Sequence, residues 1–479
     1  MELRKREKKS SYAADVVIIG SGGGLAAAVA AAEKGANVIV LEKRKVLGGN
    51  TALARALLAA ESPVQRRLRI DARKEDLFKT SMSFSHWKIN PEIIRAFINK
   101  SGDTIAWLEK QGVKFLDVPN AFFNQVPRIY HLPDGYGAAL TRSLAEKCRE
   151  HGVTLLSETP AKQILVTKGK GVSGVIARSA NKEVAIRARS VIIATGGYSG
   201  NKQLLKKYCA QYSEDTHVHG IPMMGDGILM ARKAGAASEG LGTLLSMGPF
   251  YTGTLQGGIV SVEANTVWVN KRGDRFADES SHIASETANA LDRQPGKISF
   301  TLFDETIKRS FIEDGIIRGH HRAYPPGTKM ADIDKYLKKD IQEGHVKVGN
   351  SWRAIAEWIG ADPERLQRTI EAYNHASDRG FDDLFYKDRR YLQPLRKPPY
   401  YAQICRQAFH GTTGGIKINE RMEVLDENDT IIPGLFAAGN DTGGWTSDTY
   451  NYVLTGTAFA YAINSGRIAG ENAAEYAGR

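Results

Sequence analysis

Residues 15–44 read DVVIIGSGGGLAAAVAAAEKGANVIVLEKR. Residues 16–19 are an unbroken apolar run, the pattern of a strand covered on both faces. Gly20, Ser21, Gly22, Gly23 and Gly24 follow at once, and residues 25–34 are then Ala-rich and helix-forming. Gly35 ends that helix, residues 37–41 form a second β-rich run, and Glu42 closes it 22 residues after Gly20. Strand, glycine turn, helix, strand and acid in this order predict a βαβ unit that binds a dinucleotide. Glycines let the backbone approach a pyrophosphate, the helix start offers unpaired N–H groups, and the acid can bond ribose hydroxyls. One position departs from G-x-G-x-x-G: the third glycine is Gly24, one residue early, and Leu25 stands in its place.

The chain has 479 residues, room for two or three domains, with 42% apolar and 25% charged residues as in ordinary globular proteins. No run approaches the ~18 uninterrupted apolar residues of a transmembrane helix. The basic start lacks an apolar core before a cleavage site, so a cytoplasmic location is expected. Cys148, Cys209 and Cys405 are far apart, which excludes local haem, zinc-ribbon and iron–sulfur patterns and predicts no metal. The net charge of +12 sits on no nucleic-acid motif and suits an anionic small molecule instead.

After Glu42 and Lys43 comes Gly48-Gly49-Asn50-Thr51, where paired glycines permit close approach to a flat ligand and Asn50 and Thr51 supply hydrogen bonds. Asn90-Pro91 opens a helix over 92–99, and Ser101-Gly102-Asp103 leads into another over 104–110. Residues 131–137 read as a loop and 138–151 as an amphipathic helix. Strands over 153–156, 162–168, 172–179 and 183–188 read as a meander, inserted before a separate buried strand at 190–194. That strand, ending at Ala194, runs into Thr195-Gly196-Gly197, and Gly225-Asp226-Gly227 opens a helix. Residues 241–393 read as a second domain inserted into the first, which spans 1–240 and 394–479. Residues 387–401 are the linker, and the basic clusters at 66–73 and 387–397 read as solvated surface. The first domain resumes with HGTTGG at 410–415, an apolar strand ending at Gly439, and a helix over 454–474 whose first turn holds Gly456, Thr457 and Ala458.

These pieces in this order resemble the flavoprotein family of soluble fumarate reductases, succinate dehydrogenase flavoprotein subunits and 3-ketosteroid dehydrogenases. The carriers are GSGGG (20–24), GGNT (48–51), ATGG (194–197), GDG (225–227), VNKRGDRFADE (269–279), HGTTGG (410–415), PGLFAAGNDTGG (433–444) and SGRIAGENAA (465–474). The resemblance implies an α/β fold: a Rossmann-like FAD-binding domain of the glutathione reductase type with an inserted α+β capping domain. It implies FAD held by both ends of the chain, with residues 20–24 at the pyrophosphate and Glu42 at the adenosine ribose. Lys43, Gly48, Thr195, Gly196 and Asp226 belong to the same frame. Gly49, Asn50 and Thr51 would lie near the reactive ring edge, and Asn440, after Gly439, would replace the family's ribityl-binding acid. Gly456, Thr457 and Ala458 would point helix N–H groups at flavin N1 and the C2 carbonyl, where reduced flavin is negative. Asn50 stands where covalent relatives place a histidine, so the FAD is expected to be non-covalent.

The substrate end departs from the fumarate reductases. His410 matches the family histidine, but the substrate arginine aligns with Val453 and the proton-donating arginine near His282 or Ile283. An arginine fork grips a carboxylate bidentately, and Val453 cannot. A flavin-bed Gly-Gly is replaced by Ala54-Arg55-Ala56-Leu57. The loop DTYNY (448–452) resembles that of the ketosteroid dehydrogenases, so Tyr450 and Tyr452 could polarise a ketone, with His282 or Tyr251 as acid or base. The expected function is an FAD-dependent oxidoreductase acting on a CH–CH bond next to a carbonyl or carboxyl group, with an external electron donor or acceptor. One alternative is reduction of another unsaturated acid gripped by Arg55 or Arg275; another is a non-catalytic electron-transfer subunit.

Overall fold

The structure is a computed structural model that describes residues 12–119, 128–167, 169, 171–180, 182–281, 284–319 and 324–478. The opening unit forms as expected: β1 (Tyr12–Ile19), α1 (Gly23–Glu33) and β2 (Val38–Leu41), with β1 and β2 parallel. α2 (Pro91–Lys110) is one helix where two were expected. Gly102 does not interrupt it; a Cβ there would stand 2.4 Å from the Ala60 carbonyl oxygen, so the glycine serves close packing. Tyr130–Pro133 is a strand, not loop, and α3 (Tyr136–Glu150) starts two residues earlier than its amphipathic pattern suggests.

The first sheet runs β3 (Thr154–Leu156), β2, β1, then β6 (Lys182–Ile193), with the meander β4 (Ala161–Thr167) and β5 (Gly171–Ser179) beside β6. The meander's last strand and the buried strand are a single 12-residue strand, contrary to the two expected. Its first half alternates buried and exposed and pairs with β5; its last four residues are all buried between β1 and the returning chain.

β7 (His217–Val218) and α4 (Asp226–Lys233) lead into a second sheet built on β8 (Ser238–Tyr251), β9 (Val267–Asn270), β10 (Ile298–Asp304), β11 (Val346–Gly349) and β12 (Tyr400–Ile416). β12 is 17 residues long; its start pairs with β10 and β11, and its end with β8 and β7. The chain thus returns to the first sheet along a strand. α5 (Pro363–Arg379) packs in this second region, and β13 (Glu423–Leu425), β14 (Ile431–Ala437) and α6 (Thr457–Ala477) complete the first.

Two apolar cores result. One joins β1, α1, β2, β6, β14 and α6 from both ends of the chain. The other draws on residues 251–405. The second contains buried charge: Arg275 holds Glu279 (2.8 Å) and Asp382 (2.9 Å), and Lys387 lies 3.3 Å from Glu279. Lys387 is therefore not solvated surface, because its side chain is fully buried and bonded to the Thr266 carbonyl.

Candidate active site

A continuous cavity of about 1600 Å³ runs from the start of α1, past the start of α6, into the second core. At one end, Gly20 lies so close to β6 that a Cβ would meet the Ala194 oxygen at 2.3 Å, and one on Gly22 would meet Thr51 Oγ1 at 2.9 Å. The residue before α1 is Gly22, which has no side chain to cap the helix, so the first N–H groups are available where they border the cavity. Glu42 follows β2, with one oxygen accepting from the Ser21 amide (3.2 Å) and hydroxyl (2.5 Å) and the other from the Arg44 amide (2.9 Å). A carboxylate still has lone pairs to offer there. Lys43 pairs with Asp226 across the rim at 2.7 Å.

Gly20, Ser21, Gly22, Gly23, Glu42, Lys43, Gly49, Asn50, Thr51, Ala194, Thr195, Gly196, Asp226, Gly439, Asn440, Gly456 and Ala458 all line this cavity. Three expected residues do not. Gly24 faces β1, where a Cβ would meet Ile18 at 2.9 Å, so it is the helix–strand packing glycine and explains why position 25 can be Leu. Gly48 makes a left-handed turn at φ 104° and donates its amide to Ser21 Oγ. Thr457 turns its hydroxyl back to the Leu454 carbonyl. Gly23 also lets α6 approach, since a Cβ there would meet the Ala462 oxygen at 2.3 Å.

Asp441 carries no signal in the sequence. It is fully buried and accepts from the amides of Thr195, Gly196 (2.9 Å) and Gly197 (2.9 Å) and from the Thr195 hydroxyl (3.0 Å). It ties the ATGG turn to the segment after β14. Burial pushes its carboxyl up, against the pull of these donors.

At the other end, His410 on β12 lines the cavity with its Nδ1 3.1 Å from the His219 carbonyl oxygen. Burial, His219 and Arg55 hold its pKa down to about 4. Because β7 runs parallel to β12, His217 and His219 flank the same wall, with Phe250 stacked on His217 at 5.4 Å. Asn50 fixes this segment by a two-way bond to the Ile221 backbone, accepting at 2.8 Å and donating at 3.0 Å. Among the described residues no three His, Cys, Asp or Glu side chains could hold a metal ion.

Tyr450 and Tyr452 also line the cavity, edge to face at 4.7 Å. The Tyr450 hydroxyl accepts the Ala458 amide at 2.8 Å. Its oxygen is thus tied to the start of α6, and the Ala458 N–H expected at the flavin ring is tied to that phenol. Tyr251 lines the cavity with a buried hydroxyl that has no partner among the described residues; burial and Asp340 push its pKa up. His282 lies outside the described residues. Arg275 is excluded as a substrate ligand by its buried bonds to Glu279 and Asp382. Arg55 and Arg318 do line the cavity. Arg318 donates to the Glu279 carbonyl at 2.8 Å, while its Nε has no partner among the described residues.

A βαβ turn, an acid after β2 and a helix start from the far end of the chain, all on one cavity, define a dinucleotide-binding flavoprotein. The family described as FAD binding domain matches residues 15–452, and the chain belongs to it. A vinyl phenol reductase of Lactiplantibacillus plantarum is 30% identical over 462 residues, covering 92% of this chain and 92% of that protein. An NADH:fumarate oxidoreductase of Klebsiella pneumoniae is 30% identical over 455 residues, covering 93% of this chain and 46% of that protein. Among solved structures, the open conformation of a flavocytochrome c3 fumarate reductase matches with a TM-score of 0.75 at 25% identity, over 97% of this chain and 79% of that one. The protein binds FAD and is an FAD-dependent oxidoreductase acting on a CH–CH bond next to a carbonyl or carboxyl group. No helix among the described residues is long and apolar enough to cross a membrane.

Proposed function

We propose that this flavoenzyme transfers hydrogen across a carbon–carbon bond of a flat or cyclic substrate, and not of a dicarboxylate. The carrying observation is the wall opposite the nucleotide end, where the His410, His217, His219 and Phe250 rings stand together in a cavity that Tyr452 also lines, and position 453 is Val. An arginine fork grips a carboxylate best and position 453 offers none, whereas aromatic walls suit a flat or cyclic substrate. The name of the vinyl phenol reductase relative agrees with that choice.

In this reading residues 20–23 and Glu42 hold the adenosine half of FAD, while Asn440 and Gly456 hold the flavin half non-covalently, the Ala458 amide being taken up by Tyr450. The bound flavin supplies hydride exchange. Residues 241–393 cap the ring and exclude water, with 1–240 and 394–479 as the FAD-binding domain. His410 orients the substrate oxygen, and Tyr251 or His282 moves the proton. The enzyme works in the cytoplasm with a separate electron donor or acceptor. Arg55 on the same cavity supports a second reading, an unsaturated monocarboxylic acid.

The test is anaerobic. Reduced holoenzyme is mixed with fumarate, a cinnamate, a cyclic enone or a vinyl arene, and the return of oxidised flavin absorbance is followed. Fast reoxidation by the enone or vinyl arene and none by fumarate is expected; fumarate as the fastest oxidant overturns the proposal.

A further inference from the structure

The orientation of His410 restricts what it can bind. Its Nδ1 lies 3.1 Å from the His219 carbonyl oxygen. A carbonyl oxygen only accepts, so Nδ1 carries the hydrogen. The second nitrogen, Nε2, has no protein partner among the described residues and belongs to a ring that lines the cavity. A second proton on the ring would need a nearby anion. Among the described residues, the groups acting on the ring are the His219 imidazole and the Arg55 guanidinium, both unfavourable to added positive charge. Among the described residues, the acids lining the cavity are engaged elsewhere: Glu42 with Ser21 and Arg44, Asp226 with Lys43, and Asp117 with Arg128. Burial acts in the same direction. His410 is therefore neutral, with a bare lone pair on Nε2.

A lone pair cannot donate. It repels a ketone or carboxylate oxygen and attracts a hydroxyl hydrogen. We propose that His410 accepts, through Nε2, a hydrogen bond from a phenolic hydroxyl of the substrate. A phenol is favoured over an aliphatic alcohol for two reasons. Phe250 and the His217 and His219 rings make flat walls beside His410, with Phe250 and His219 centroids 5.0 Å apart. Arg55 places positive charge near an oxygen whose acidity lets it carry partial negative charge. This deepens the proposed function and rests on it.

The test uses oxidised holoenzyme and three saturated probes of one shape: 4-ethylphenol, 4-ethylanisole and 4-ethylbenzoate. Binding is read from the change in flavin absorbance. The phenol is expected to bind about tenfold more tightly than its methyl ether, the effect of one lost hydrogen bond. In His410→Phe that preference disappears while both probes still bind. Equal binding of phenol and anisole to the native enzyme, tightest binding of the benzoate, or no binding of any probe overturns the proposal. An independent measurement is the 15N spectrum of histidine-labelled holoenzyme near neutral pH, with His410 assigned by loss of its signals in His410→Phe. Protonated Nδ1 with bare Nε2 is expected; a protonated Nε2 overturns the proposal whatever binds. If the phenols fail here while an enone or enoate reoxidises the reduced enzyme, the phenol inference falls and the proposed function stands. If no alkene reoxidises it, the proposed function itself falls.

Discussion

In the core shared by the two ends of the chain, α1 and α6 meet backbone to backbone. A Cβ on Gly466 would stand 2.3 Å from the Gly23 oxygen, and one on Gly470 would stand 2.2 Å from the Ala27 oxygen. In the core of residues 251–405, contact runs instead through buried charged side chains: Arg275, Lys387, Glu279 and Asp382, with the Arg275 guanidinium 4.9 Å above the Tyr373 ring. The first region has no room for a side chain at its seam. The second has side chains that must be matched in charge. One tolerates polar change at a distance but no added volume; the other is sensitive to the loss of a single charge.

The largest expected effect breaks the second region. Arg275→Met leaves Glu279 and Asp382 buried with Lys387 as their remaining cation, and removing one member of such a network costs about 3–5 kcal/mol. Denaturant unfolding should show the loss, and limited proteolysis should cut first within residues 251–405. An unchanged midpoint, or first cuts near α1 or α6, would end the contrast.

Acid should separate the regions next. His131 is fully buried on the nucleotide side, between Ser62 Oγ at 2.6 Å and the Ile129 carbonyl at 3.0 Å, and burial lowers its pKa from 6.5 to about 4. Its folded value is below its unfolded value, so the unfolded chain binds the proton more readily. The stability it protects is complete above about pH 6.5 and is lost as pH falls toward 4, at most about 3 kcal/mol. His410 shares that window. The carboxyl of Asp382 is instead held below its ordinary value of 3.8, and that of Glu279 below 4.5, so each retains its contribution until more acid conditions. Urea titrations across this range should show two steps, and His131→Gln should flatten the first. A single step would end the separation, and a first step unchanged by His131→Gln would show that His131 does not set the early loss.

A matched pair of alanines then tests volume. Gly466→Ala drives a methyl into the Gly23 carbonyl and should cost about 1–3 kcal/mol and weaken FAD retention. Gly258→Ala, in the short helix Leu255–Val260, meets nothing within 4 Å and should stabilise by about 0.5–1 kcal/mol. Effects of the same sign and size at both sites would mean that the two regions are packed alike.

The nucleotide region is largely legible in the sequence because its signals are local. Strand, glycines, Ala-rich helix and Glu42 lie within one 30-residue stretch, and the structure joins them in that order. Even the misplaced third glycine has a local cause, since Gly24 packs on Ile18. What cannot be read depends on pairings distant in the chain. His217 and His219 gain their place only when β7 lies along β12, some 190 positions away. Asp441 looks like any loop acid until the ATGG amides turn onto it. Lys387 sits in a basic, Pro-rich stretch whose composition suggests solvent, and only the fold brings Glu279 beneath it. A run of apolar residues also does not say where one strand ends, which is why 183–188 and 190–194 read as two strands although they form β6.

The smallest expected loss of stability lies within the first core, beside the start of α6. The Tyr450 hydroxyl accepts the Ala458 amide at 2.8 Å, and its ring packs edge-on to Trp445 and Tyr452. Tyr450→Phe keeps the ring and removes that acceptor, at a cost of about 1 kcal/mol. The freed Ala458 N–H borders the cavity, so FAD should bind at least as well despite the lower stability. Tyr450→Ala removes the ring too and should cost about 3–5 kcal/mol, as other large aromatic truncations do. If Phe proves as harmful as Ala, the phenol oxygen rather than the ring holds the start of α6. If Phe instead weakens FAD binding while leaving stability unchanged, the hydroxyl acts on the cofactor and not on the helix.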